Sequence, residues 1–178
     1  MASEKQYTDL YRECRNQIFA HSADVMNAVR DAAFADFERL GFPTRKVERY
    51  KYTSMDKLFE PDYGLNINRI QVPVDPYKAF RCDVPNMSTS LYFIVNDEFR
   101  AALQPKENLP EGITVTSLSE YAKKHPEFVA EHYAKLAKTD EDGITALNTM
   151  LAQDGLLIHV ENKVVVYSKV QIINILRS

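Results

Sequence analysis

The sequence predicts an α+β protein: N-terminal helices and a small mixed α/β region, followed by a run of short strands. Three observations carry this. Apolar residues recur at three- and four-residue spacing between Tyr7 and Leu40, the helical period. Residues 60–89 hold Pro61, Pro73, Pro76 and Pro85 together with Gly64, which punctuates the chain into loop and short extended pieces. After Gly155 come Leu156–Val160, Val164–Val166 and Val170–Leu176, β-branched runs parted by brief polar breaks, a spacing that suits a hairpin or successive rungs of a β-solenoid.

In order, Tyr7, Leu10, Tyr11, Cys14 and Ile18 form one stripe of a first helix. A break falls at His21-Ser22, where Ser22 can cap a second helix and Asp24 suits the positive end of its dipole. Val25, Val29, Ala33, Phe37 and Leu40 line one face of that helix, Gly41 suits the left-handed residue after it, and Pro43 prevents its resumption. Ser54–Phe59 reads as a short helical turn with Leu58 and Phe59 inward. Leu91–Val95 is an aromatic and β-branched strand, and Ile113–Thr116 a second. Between them, Pro105, Pro110 and Gly112 mark a loop. Ser117 and Glu120 have capping-box spacing for a helix from Leu118, and Pro126 opens another that carries Val129, Tyr133 and Leu136 inward. Ile144, Leu147 and Leu151 mark one more short helix, ending before Asp154-Gly155.

The chain has 178 residues, 45% of them hydrophobic, enough to bury a core. With 22 Lys+Arg against 25 Asp+Glu it carries a formal charge of -3, which argues against a dedicated nucleic-acid binder. No apolar run approaches the roughly 18 residues of a membrane helix, and the N-terminus is polar and amphipathic, unlike a signal peptide. Two cysteines make no disulfide framework, so a reduced, cytoplasmic protein is expected.

The one site candidate lies in Gly41–Phe59. Arg45, Lys46, Arg49 and Lys51 fall close together, with Glu48, Tyr50 and Tyr52 among them. These residue types can dock an acidic partner surface, where Tyr and Arg are favoured. They can also bind single-stranded nucleic acid by phosphate pairing and base stacking. Or they brace the fold, with arginines bonding loop carbonyls and helix ends and tyrosines packed over the helices. Elsewhere, Cys82 beside Arg81 is the one thiol whose neighbour favours a thiolate, but no His or second Cys stands at ligand spacing. Cys14 belongs to a core stripe, and His21, His125, His132 and His159 show no zinc spacing. The run Asp140-Glu141-Asp142 reads as a solvated loop. No phosphate-cradling glycine loop and no acid/base pair stands out.

The stretch PTRKVERYKYT, residues 43–53, resembles the N-terminal motif of the SufD branch of the SufB/SufD family of iron–sulfur cluster assembly proteins. LNTMLAQDGLLIHV, from Leu147 to Val160, resembles the point where that family enters its β-helix core. The likeness also runs through SLYFIVNDEF and LPEGITVTSL, so it covers the whole chain. SufB-type chains resemble this pattern only from about Leu147, which favours SufD. One departure is Tyr50, where the family often has tryptophan; this chain has none.

The resemblance implies an N-terminal helical/mixed domain over 1–153 and, over 154–178, the opening strands of a right-handed parallel β-helix. It implies a subunit of a scaffold complex that pairs with a SufB-like subunit and works with a SufC-like ATPase. The iron–sulfur cluster is assembled by the full complex, and no cofactor is expected in this segment. The family's functional cysteine and histidine lie late in the β-helix and map onto no residue here, so no catalytic role is expected. Because the sequence closes on an uncovered apolar strand, a fragment or a chain that expects a partner is anticipated, and exposed strands could self-pair.

Overall fold

The computed structural model describes residues 2–79, 89–104, 111–167 and 169–176. Arg81, Cys82, Pro85, Pro105 and Pro110 lie outside the described residues. Helix α1 spans Ala2–Ala20 and buries Tyr7, Tyr11 and Ile18, with Cys14 partly buried beside them. The second predicted helix is two: α2, Asp24–Asn27, and α3, Arg30–Leu40. Ser22 does not cap α2. Its hydroxyl donates to the Gln153 carbonyl at 3.0 Å and accepts from Arg30 at 2.6 Å.

Arg30 explains the kink. The break at Ala28-Val29 aims its side chain inward, where it is 0% exposed. The guanidinium donates to Asn27 Oδ1 (2.9 Å) and to the Thr149 and Met150 carbonyls (3.2 and 3.1 Å). Those carbonyls end α8, Gly143–Leu151, and have no partner within that helix. A buried cation thereby ties α2 and α3 to the end of α8. Around it, Tyr7, Tyr11, Ile18, Ala33, Phe37, Phe42, Ala146, Leu147 and Met150 form the main core between α1, α3 and α8.

Two short helices follow α3: α4, Met55–Leu58, and α5, Pro76–Ala79. Met55 is buried and Phe59 packs on the core, but Leu58 is 51% exposed, unlike the sequence expectation. Strand β1, Thr89–Val95, turns through Asn96-Asp97 into β2, Glu98–Phe99. Both turn residues have positive φ (46° and 62°), as a two-residue hairpin matching strand twist requires. Strand β3, Ile113–Ser117, leads into α6, Leu118–Lys124, with Ser117 accepting from the Glu120 amide at 3.1 Å as the capping-box spacing predicted. Helix α7, Pro126–His132, begins on its proline. Val129 is buried, but Leu136 is 97% exposed, because α7 stops at His132 before that position is reached.

Strands β4, Leu156–Val160, and β5, Lys169–Ile175, match two of the three terminal runs; Val164–Val166 forms no strand. Among the described residues they do not pair with each other. β4 lies antiparallel to β3, and β5 lies parallel to β1 from Thr89↔Lys169 to Val95↔Ile175. The architecture is thus α+β with two small sheets, ordered β2-β1-β5 and β3-β4. Asp154 joins them to the helices. Its carboxylate, 4% exposed, accepts from Ser117 Oγ (2.7 Å), the Ser119 amide (3.0 Å) and the Phe99 amide (3.2 Å), with Arg69 at 3.6 Å. Among the described residues no helix is long and apolar enough to cross a membrane.

Candidate functional site

The basic-aromatic stretch is a loop folded against the start of α8. It begins where α3 ends at Gly41, whose φ of 62° is left-handed. A Cβ at Gly41 would lie 2.4 Å from the Glu4 carboxylate, which accepts the Phe42 amide at 3.0 Å. Phe42, 2% exposed, stacks on Phe59 (4.8 Å between centroids) and meets Phe37 and Tyr7 edge-on. The chain then enters turns. The Val47 amide donates to the Thr44 carbonyl at 3.0 Å, Glu48–Tyr50 make one 3₁₀ turn, and the Thr53 amide donates to the Tyr50 carbonyl at 2.9 Å. The stretch runs in turns and not as extended chain, which is why its alternation matched no half-buried strand.

Asp142 holds the loop in place. Its Oδ1 accepts from the Ile144 amide at 2.8 Å and so caps α8. Its Oδ2 accepts from the Tyr50 hydroxyl at 2.7 Å and from the Arg49 guanidinium at 3.3 Å. The carboxylate is only 10% exposed. Burial, and then the bond to Asp142, push the Tyr50 phenol above its ordinary pKa, so it stays a donor. The carbonyl of Gly41 also touches α8: a Cβ at Gly143 would lie 1.9 Å from it.

The loop therefore divides its functional candidates. Tyr50 braces it through Asp142, and Arg49 adds an exposed contact to the same carboxylate. Tyr52 does not pack over the helices. It is 88% exposed, with the Lys51 ammonium 5.1 Å from its ring centroid. Lys51 pairs with Glu48 across one turn. Arg45 and Lys46 are exposed, and among the described residues their side chains have no hydrogen-bond or ion-pair partner.

The other candidates are accounted for locally. His21 Nδ1 faces the Ile67 carbonyl (3.1 Å) and Gln153 Oε1 (3.0 Å), both acceptors, so it carries the proton. His132 Nδ1 donates to the Phe128 carbonyl at 2.8 Å, while His159 packs by the Phe128 ring and His125 by Tyr121. Among the described residues no group of three or more His, Cys, Asp and Glu could hold a metal ion. Sequence reasoning missed Asp142, hidden in a run that looked solvated. The available signal was its place as an N-cap residue two positions before Ile144, the first apolar residue of the α8 pattern.

Fold and loop together define a small α+β domain that presents a braced basic loop on its surface. A protein-family model described as "SufBD protein N-terminal region" matches residues 1–172 of the 178, and the chain belongs to the SufB/SufD family. No curated protein matches the chain. Family membership points to involvement in iron–sulfur cluster assembly.

Proposed function

We infer that this chain is the N-terminal part of a subunit of a SufB/SufD-type scaffold for iron–sulfur cluster assembly, on the SufD side of the family. It pairs with a SufB-like subunit, works with a SufC-like ATPase, and acts in the cytoplasm. The observation that carries this is the family match over residues 1–172. The motif at 43–53 supports the SufD side. In this reading the cluster is cargo of the full complex, and residues 1–153 form an accessory domain with no catalytic role.

The same reading makes β4 and β5 the first strands of a right-handed parallel β-helix, beginning at 154. Among the described residues β4 lies antiparallel to β3 and does not stack on β5 as a rung; what supports the reading is the parallel sense of β5, paired with β1 through seven residue pairs. Its Val170 and Ile172 are 44% and 47% exposed, as expected of positions that a further parallel rung would cover.

Immunoprecipitation from the source cells, with antibody raised against this chain and masses read on everything recovered, tests the assignment. A SufC-type ATPase and a SufB-type subunit should come down with it. Recovery of a SufD-type partner instead would move the chain to the SufB side. Recovery of neither would overturn the scaffold reading.

A further inference from the structure

The loop at 45–52 carries more than folding requires. Of its four cations, two are answered within the structure: Arg49 by Asp142 and Lys51 by Glu48. Arg45 and Lys46 are not answered among the described residues. Tyr52, 88% exposed, and Val47, 45% exposed, stand beside them in the sequence, and neither belongs to the buried core. An exposed tyrosine with a cation against its ring is an arrangement found at the energetic centres of interfaces.

The loop is also fixed before anything binds. The Tyr50 hydroxyl and the Arg49 guanidinium both meet one carboxylate oxygen of Asp142, which itself caps α8. Backbone bonds from Val47, Tyr50 and Thr53 close three successive turns. A rigid presenting loop loses little conformational freedom on association, which is where much of the cost of binding lies.

We propose that Arg45, Lys46, Lys51, Tyr52 and Val47 form a docking surface for an acidic segment of a partner protein. Carboxylates of that segment pair with Arg45 and Lys46, and an apolar side chain packs on the exposed Tyr52 ring. Charge complementarity selects this occupant, because the chain is otherwise acidic, with a net charge of -3, and its excess positive charge here is local. A nucleic acid fits less well. Stacking platforms present successive aromatic faces, and the structure removes Tyr50 from that role by holding its hydroxyl on Asp142. The proposal does not depend on the scaffold assignment.

The test titrates the full chain against a fluorescein-labelled (Glu-Glu-Leu)4 peptide, its (Lys-Lys-Leu)4 counterpart and a dodecamer of thymidylate. Changes in amide chemical shifts locate whatever binds. The acidic peptide should bind and shift residues 44–53. Arg45→Glu with Lys46→Glu should weaken it at least about tenfold, and Tyr52→Ala about tenfold, without changing thermal melting. Lys123→Glu with Lys124→Glu, an exposed basic pair on α6, should leave binding unchanged. Absence of peptide binding would overturn the proposal. So would equal losses from the α6 pair, which would mean unspecific charge attraction. Binding of the thymidylate dodecamer as tight as that of the acidic peptide would overturn it in favour of nucleic acid.

Discussion

Replacing Asp142 by alanine separates the bracing half of the loop from the presenting half. Three interactions are lost. The cap on the Ile144 amide contributes about 1 kcal/mol. The Tyr50 hydroxyl loses its acceptor in a half-buried position, costing about 1–1.5 kcal/mol. The Arg49 contact contributes close to nothing, because its guanidinium is 75% exposed and screened by water. The sum is about 2–2.5 kcal/mol, which for a chain of this length lowers the melting temperature by roughly 4–10 °C. Urea unfolding followed by circular dichroism reads the loss directly, with an unchanged slope if only stability is affected. Tyr50→Phe alone should cost about 1 kcal/mol, and most of that cost should vanish in the Asp142→Ala background. Tyr52→Ala should stay within about 0.5 kcal/mol, because its side chain is exposed. A loss below about 0.5 kcal/mol for Asp142→Ala would refute the bracing argument. So would Tyr50→Phe costing the same with and without Asp142.

Other consequences are equally open to measurement. Gly143→Ala should cost about 3 kcal/mol or more, since its Cβ would lie 1.9 Å from the Gly41 carbonyl oxygen. Gly155→Ala, whose nearest neighbour would be the Leu118 side chain at 3.8 Å, should be close to neutral in the same denaturation assay. Burial, and then the bond to Asp31, push the Tyr11 phenol from its ordinary 10.0 to about 12. The folded state therefore favours the protonated phenol. That contribution, on the order of 2 kcal/mol, is complete below pH 10 and lost as pH rises through 12. Tyr11→Phe should flatten this alkaline limb in a stability-versus-pH series, and an unchanged limb would assign it to other groups. The isolated 178-residue chain should self-associate, because Val165, Tyr167, Val170, Ile172 and Leu176 are all exposed along and beside β5. Light scattering should report dimers or larger species that Ile172→Lys reduces, whereas a clean wild-type monomer at high concentration would count against it.

Local chemistry was legible in the sequence wherever neighbours along the chain decide the outcome. The apolar stripe of α1, the capping serine at Ser117, the proline opening α7, the left-handed Gly41 and the strand at Leu91–Val95 all rest on short-range rules, and each stands in the structure. The motif at 43–53 and the family match likewise depend on residue order alone. What the sequence could not decide were contacts between residues far apart in the chain. Arg30 looked like one more polar position on a helix until Thr149 and Met150 supplied acceptors from the end of α8. Ser22 was drawn away from its cap by the same guanidinium. Tyr50 and Tyr52 are two residues apart and chemically alike, yet one is held and the other projects. Only the folding of Asp142 against the loop, 92 residues away from Tyr50, distinguishes them. Likewise β5 found its parallel partner in β1 rather than in the neighbouring β4. A parallel ladder needs a long connection between its strands, so no local pattern could have paired them.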